Sequence, residues 1–212
     1  MGVPAKSQRP KLRVIRGAGP SAQERLSDDQ IVAGVERGDP SVGDALFNRL
    51  IRVVDSTLYK VVGRRSDDHD DLVQQVFEQV VRTLREHRFR RACSLSSWAG
   101  AIAVNVAMNA VRKYHSERRV FDFGVEAERV EVPRSEQPDT SADARRELER
   151  LRVALTQVAS EQAETVLLHD LMGKELAEIA VLMGVSIAAA QSRLVRGRKQ
   201  IAARMRVLRG EA

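Results

Sequence analysis

Three groups of side chains carry the chemistry this sequence can do, and each has a spacing that belongs to one helical face. Asp71, Gln74, Gln75 and Glu78 recur at three- and four-residue intervals. They form a polar, partly acidic face opposite an apolar stripe and can contact an outside protein rather than the core. Trp98, Asn105, Asn109, Arg112 and Lys113 make a second stripe, continued by Ser116 and Arg119, on a helix that is otherwise almost wholly apolar. Buried helices seldom carry amides and cations in register without partners, and a nucleic-acid strand would supply them. Asn can bond a base edge, Arg and Lys can hold phosphates, and Trp can stack on an unstacked base. The third group is Ser186, Gln191, Ser192, Arg193, Arg196 and Lys199, near the end of the chain. Its polar side chains suit a DNA major groove and its walls.

These groups need helices to hold them, and the sequence predicts helices in two blocks. Pro4, Pro10, Pro20, Pro40, Pro133 and Pro138 are all its prolines, which leaves two long proline-free windows, 41–132 and 139–212. Ser27-Asp28-Asp29-Gln30 reads as a capping box ahead of Ile31, Val32 and Val35, with a stop at Gly38-Asp39-Pro40. Leu46, Leu50, Val54, Leu58 and Val62 then fall four apart up to Gly63. An acidic cap, Asp67 to Asp71, precedes the apolar stripe Leu72, Val76, Val80 and Leu84. An Arg-rich loop around Phe89-Arg90-Arg91 leads to Ser96 or Ser97, which opens a fourth helix running to about Arg118. In the second block Leu148, Leu151, Leu155 and Val158 form one seam, and Ser160 starts a helix that stops at Gly173.

The expectation is an all-α protein of two small helical domains joined by a flexible linker. The boundaries are a disordered basic arm over 1–26, a first domain over 27–117, a linker over 118–142, a second domain over 143–206 and a tail over 207–212. The linker is placed by Glu126, Glu128, Glu131, Pro133, Ser135 and Pro138. No strand-period alternation of useful length and no internal repeat is present.

Composition narrows the function classes. The net charge of +6 and pI of about 10.0 favour polyanionic partners without requiring them. Cys93 is the only cysteine, which excludes an internal disulfide or a Cys-based zinc site within one chain. The basic N-terminus lacks the apolar stretch of a secretory signal and no run approaches a membrane span, so cytoplasmic residence without membrane contact is expected.

The motif around Ala180 is the most specific. Ala180 is small where two helices must cross, Gly184 suits the left-handed turn and Val185 plugs the gap between helices. Ser186 caps the next helix, whose free amides then face a phosphate. On that helix Ile187, Ala190, Leu194 and Ile201 are expected inward, with Ser192, Arg196 and Lys199 outward and Gln191 and Arg193 flanking. Arg193, Arg196, Arg198, Lys199 and Arg204 have no acidic i+4 partners on their own helix. This is a helix-turn-helix pattern.

Asp70-Asp71-Leu72-Val73-Gln74-Gln75-Val76-Phe77 resembles the acidic-leucine-glutamine signature with which sigma factors bind the clamp helices of RNA polymerase. Ser97-Trp98 through Asn105, Asn109, Arg112 and Lys113 resembles the sigma helix that recognises and melts the −10 element, and the second half is similar to sigma region 4, which reads the −35 element. In the family's order these cover roughly 28–117 and 143–204. The chain therefore resembles the compact extracytoplasmic-function (ECF, group 4) sigma factors. That resemblance implies a region 2 bundle contacting polymerase through Asp71, Gln74, Gln75 and Glu78 and the −10 strand through Trp98, Asn105, Asn109, Arg112 and Lys113. It implies a region 4 domain contacting the −35 duplex through Ser186, Gln191, Ser192, Arg193, Arg196 and Lys199, and gives the loop from Phe89 to Ser96 a part in holding a flipped base. The implied partners are core RNA polymerase, promoter DNA and an anti-sigma factor, with nucleoid association when in holoenzyme. Two departures matter: Gln75 stands where glutamate is usual, and Ala189-Ala190-Gln191 replaces the more usual Thr-Val-Lys, which predicts weaker or differently specific −35 recognition.

Two other readings compete. A stand-alone regulator explains the helix-turn-helix but leaves the Asp71–Glu78 face and the Asn105–Lys113 stripe without a role. A metal-dependent phosphohydrolase would use His69-Asp70, but His87, His115 and His169 lack companion ligands, and an acidic helix start stabilised by the dipole is the plainer account. No metal, cofactor or catalytic residue is expected.

Overall fold

A computed structural model describes residues 26–63, 68–121 and 140–211. The N-terminal arm up to residue 25 and residues 122–139 of the expected linker lie outside the described residues. Every regular element among those described is helical.

Four helices make the first domain. The chain enters through α1 (Asp28–Glu36), where the Ser27 hydroxyl accepts from the Gln30 amide at 3.2 Å and Gln30 accepts from the Ser27 amide at 2.9 Å. This reciprocal pair satisfies amides that the first turn leaves free. A short 3₁₀ turn, Pro40–Val42, follows, with the Asp39 carboxylate accepting from the Ser41 amide. The central helix α2 (Gly43–Val62) buries Leu46, Leu50, Val54 and Leu58 and ends at Gly63, whose φ of +82° suits a residue without Cβ. Next, α3 (His69–Arg85) buries Val76, Val80 and Leu84.

The helix α4 (Leu95–Phe121) lies against α2 and α3 through Leu95, Ala99, Ala103, Val104, Ala107, Met108 and Val111. It begins one turn earlier than the sequence suggests. The Ser94 hydroxyl, not that of Ser96 or Ser97, takes the cap by accepting from the Ser97 amide at 3.1 Å. Its small residues let α2 approach closely, and a fully buried leucine such as Leu50 or Leu95 contributes roughly 1.5–3 kcal/mol.

The second domain comprises α5 (Thr140–Thr156), α6 (Ser160–Val166), α7 (Leu176–Met183) and α8 (Ile187–Arg209). From Leu167 to Leu171 the α6 helix widens into a π-turn before Gly173. The core holds Ala154, Leu155, Ala163, Leu168, Ile179, Ala190, Leu194 and Ile201. Helices α7 and α8 meet at 102°, within the range of a helix-turn-helix. Gly184 between them has φ +64° and the Ser186 hydroxyl accepts from the Ala189 amide at 3.1 Å, as the sequence predicts.

Two helix ends differ from the expected boundaries. Thr140 already belongs to α5, and α8 continues to Arg209 before its glycine cap at Gly210, so the first half of the expected tail, 207–209, is helix. Ile187 is also not inward but 54% exposed, because it precedes the first residue of α8 that reaches the core, Ala190. No single helix among the described residues is long and apolar enough to cross a membrane.

Candidate nucleic-acid and polymerase interfaces

On α3, Asp71, Gln74, Gln75 and Glu78 are all exposed on the side away from Val76, Val80 and Leu84. Gln74 donates to Glu78 at 2.7 Å, one turn along, so the two hold each other in place on the surface. Within the acidic start of α3, His69 is buried, with Nε2 2.8 Å from Asp55 of α2; among the described residues there is no group of three or more His, Cys, Asp or Glu side chains suited to an ion, and Asp67 lies outside them.

On α4 the polar stripe is present but only part of it meets solvent. Asn109 and Lys113 are exposed, while Trp98, Asn105 and Arg112 are half-buried. Trp98 packs on Phe89 with ring centroids 5.0 Å apart, so the loop residue orients the tryptophan. The partner of Asn105 is the surprise. Its amide donates at 3.1 Å to Glu164, on α6 of the other domain, and Asn109 donates back to Asn105 at 3.2 Å. Arg112 has a buried Nη2 without a hydrogen-bond partner among the described residues. Burial pushes the Glu164 carboxyl above its usual range, against the Asn105 hydrogen bond and the charges of Arg112 and Arg193, with Glu161 adding to the rise.

Sequence reasoning missed Glu164, because a carboxylate on a helix looks like any solvated side chain until its neighbours across the chain are known. The same holds for two other contacts of the domain seam. Arg152 of α5, its side chain only 15% exposed, donates through Nε to the Val61 carbonyl at 3.1 Å and lies over Gly63. There a cation meets the negative end of α2. Lys174 donates to the Ser97 hydroxyl at 2.5 Å and to Glu178 at 3.0 Å. A cleft of about 840 Å³ opens beside the seam, and Asp71, Gln75, Asn109, Lys113 and Arg152 all line it.

On α8, Gln191, Arg196 and Lys199 are exposed, together with Ser186 at its start, whereas Ser192 and Arg193 are half-buried. Arg193 therefore turns toward α6 and the field of Glu164 rather than fully outward. Arg198, counted among the unpaired cations of this helix, has an acidic partner from elsewhere in the fold: Nε donates to Asp170 at 3.0 Å and Nη2 makes a second, shorter bond. The guanidinium holds the Asp170 carboxyl below its usual range.

A four-helix bundle with an exposed acidic-amide face, joined to a helix-turn-helix domain with an exposed basic face, defines a two-module transcription factor. Comparison with known proteins makes this specific. The family model for sigma-70 region 2 matches residues 46–117, and that for sigma-70 region 4 matches 148–201. Among curated relatives, the ECF RNA polymerase sigma factor SigM of Mycobacterium tuberculosis is 29% identical over 199 residues, 91% of this chain and 92% of its own. The ECF RNA polymerase sigma-E factor of Haemophilus influenzae is 28% identical, over 84% of this chain and 95% of its own. The solved structure of CnrH in complex with the cytosolic domain of CnrY shares the fold, with a TM-score of 0.50 and 20% identity over 87% of this chain and 99% of that one.

The chain belongs to the sigma-70 family of RNA polymerase sigma factors, as a member of its ECF branch. It binds core RNA polymerase and directs transcription initiation at promoters.

Proposed function

We propose that the first domain docks on core polymerase through Asp71, Gln74, Gln75 and Glu78 and then captures the non-template strand of the −10 element with Trp98, Asn105, Asn109, Arg112 and Lys113. The second domain anchors the upstream −35 duplex through Ser186, Gln191, Arg196 and Lys199, with Ser192 and Arg193 at the margin of that surface. The domain limits are taken as 27–117 and 143–206, with the intervening stretch setting the distance between the two DNA contacts. The observation that carries this reading is the exposure of both polar sets on the first domain. The α3 face is polar, exposed and unused by the core, and Asn109 and Lys113 of α4 are exposed beside it, lining the same cleft as Asp71 and Gln75.

Extruding bases costs a few kcal/mol each, and hydrogen bonds from Asn105 and Asn109 with stacking on Trp98 can offset it. No catalytic step belongs to this reading; the polymerase supplies the chemistry. Residence in the cytoplasm, at the nucleoid when in holoenzyme, and restraint by an anti-sigma factor belong to it as the resemblance implies. In vitro transcription with Asn105→Ala combined with Asn109→Ala tests it: polymerase binding is retained and open-complex formation falls. Loss of polymerase binding instead would show the stripe to be structural.

A further inference from the structure

The loop between α3 and α4 carries Phe89, on which Trp98 packs, and it runs in a shape that side chains resist. Among the described residues only two other than glycine have positive φ, His87 at +53° and Arg91 at +56°, and they stand on either side of Phe89. Such a conformation crowds Cβ against the backbone and persists only where the surroundings hold it. At His87 part of the hold is the backbone itself. The His87 amide donates to the Leu84 carbonyl at 2.9 Å and the Arg88 amide to the Thr83 carbonyl at 3.0 Å. That pair of bonds stops α3 as a Schellman turn, at a position where glycine is the usual residue.

The side chains that add to this hold come from α1. Glu36, the last residue of that helix and only 19% exposed, reaches both strained positions: Oε1 lies 3.5 Å from Nδ1 of His87, and Oε2 accepts from Nη2 of Arg91 at 3.3 Å. Nη1 of Arg91 lies 3.5 Å from Asp29, two turns earlier on the same face of α1. One carboxylate thus ties together the two left-handed residues that bracket Phe89. Phe89 itself is buried, its ring centroid 5.0 Å from that of Trp98.

We propose that Glu36 is a positioning residue for strand capture: by gripping His87 and Arg91 it fixes the loop that seats Phe89 against Trp98, and so presents the indole to an unstacked base. The inference rests on the stacking role given to Trp98 above. Glu36 acts through the loop and not by touching DNA. An indole held in place beforehand stacks without the ordering cost that a loose one incurs during opening. The ion pairs are partly exposed and screened by solvent, so each carries roughly a two- to three-fold effect, and losing both together roughly five-fold.

The test uses the full-length chain, in which Trp98 is the only tryptophan and reports the loop by fluorescence. Glu36→Ala and Glu36→Gln are compared with the parent, well below the thermal midpoint of each, for acrylamide quenching of Trp98 and for core polymerase affinity. Open-complex formation by the holoenzyme is followed on a promoter that the parent holoenzyme selects from a randomised duplex library. Glu36→Ala should expose Trp98 to quencher and open the promoter roughly five-fold more slowly, with polymerase affinity unchanged. Glu36→Gln, which keeps an acceptor for Arg91 without the charge, should lie between it and the parent. His87→Gly in the Glu36→Ala background should recover part of the opening rate, because glycine takes the left-handed conformation without a partner. Opening that matches the parent in both Glu36 variants overturns the proposal. So does slowed opening with Trp98 quenching unchanged, because the effect then bypasses the loop. Trp98→Ala separates this inference from the reading beneath it. If Trp98→Ala is impaired while Glu36→Ala is not, the positioning role alone fails; if Trp98→Ala opens the promoter like the parent, the stacking role fails and takes the inference with it.

Discussion

Gly197 offers a direct measure of how tightly the recognition helix is held. It is buried midway along α8, facing α6, and a Cβ there would stand 2.8 Å from a Val166 methyl and 3.0 Å from the Gln162 carbonyl oxygen. The methyl can rotate aside, but the carbonyl is backbone, so the two helices must move apart by several tenths of an ångström. Gly197→Ala gains about 1 kcal/mol of helix propensity and incurs an overpacking cost of about 1–3 kcal/mol, a net loss near 1 kcal/mol. Gly43→Ala is the control. It lies at the exposed start of α2 with nothing within 4 Å of the added methyl, and stabilises by up to about 1 kcal/mol. The two variants should thus differ by about 2 kcal/mol. Thermal unfolding followed by circular dichroism reads this as several degrees in Tm, at roughly 4–8 °C per kcal/mol for a domain of this size. Equal stabilisation by both substitutions would refute the argument, since α6 and α8 would then separate at no cost. A shift of α8 also re-aims Arg196 and Lys199, so Gly197→Ala should weaken upstream duplex binding while Gly43→Ala leaves it alone.

Other consequences can be checked separately. Arg196→Ala removes an exposed cation from α8; upstream affinity should fall and the slope of log K against log salt should lessen by about 1, measured by fluorescence anisotropy. The Asp170 carboxyl is held low by Arg198, so this pair supports folding above the ordinary carboxylate pKa of about 4, and that support is lost as pH falls through the lowered value. Denaturant midpoints should accordingly drop less between neutral pH and strong acid in Arg198→Ala than in the parent, and the difference should shrink in high salt. Burial raises the Cys93 thiol, with Glu178 adding and Lys174 opposing, so maleimide labelling at neutral pH should be slower than for a free cysteine. Labelling at the free rate would show that the loop before α4 does not pack as described.

The sequence by itself determined the local and the periodic. The capping box at Ser27, the stripe Leu46 to Leu58, the left-handed Gly184 and the Ser186 cap each depend on residues a few positions apart, so their physics is written in adjacent letters. The same periodicity separated the exposed Asp71–Glu78 face from the core and set Asn105, Asn109 and Arg112 in one register. Tertiary structure alone decided what those registers meet. Glu164 on Asn105, Arg152 on Val61, Asp170 on Arg198 and the Gly197 crossing join residues tens of positions apart. Helical spacing fixes the direction a side chain leaves its own helix, but the partner it reaches is set by how helices dock, and docking is chosen by the summed burial of many side chains rather than by any local motif. Arg198 was therefore legible as a cation and not as an ion pair, and Asn105 as a polar member of the α4 stripe and not as the partner of Glu164.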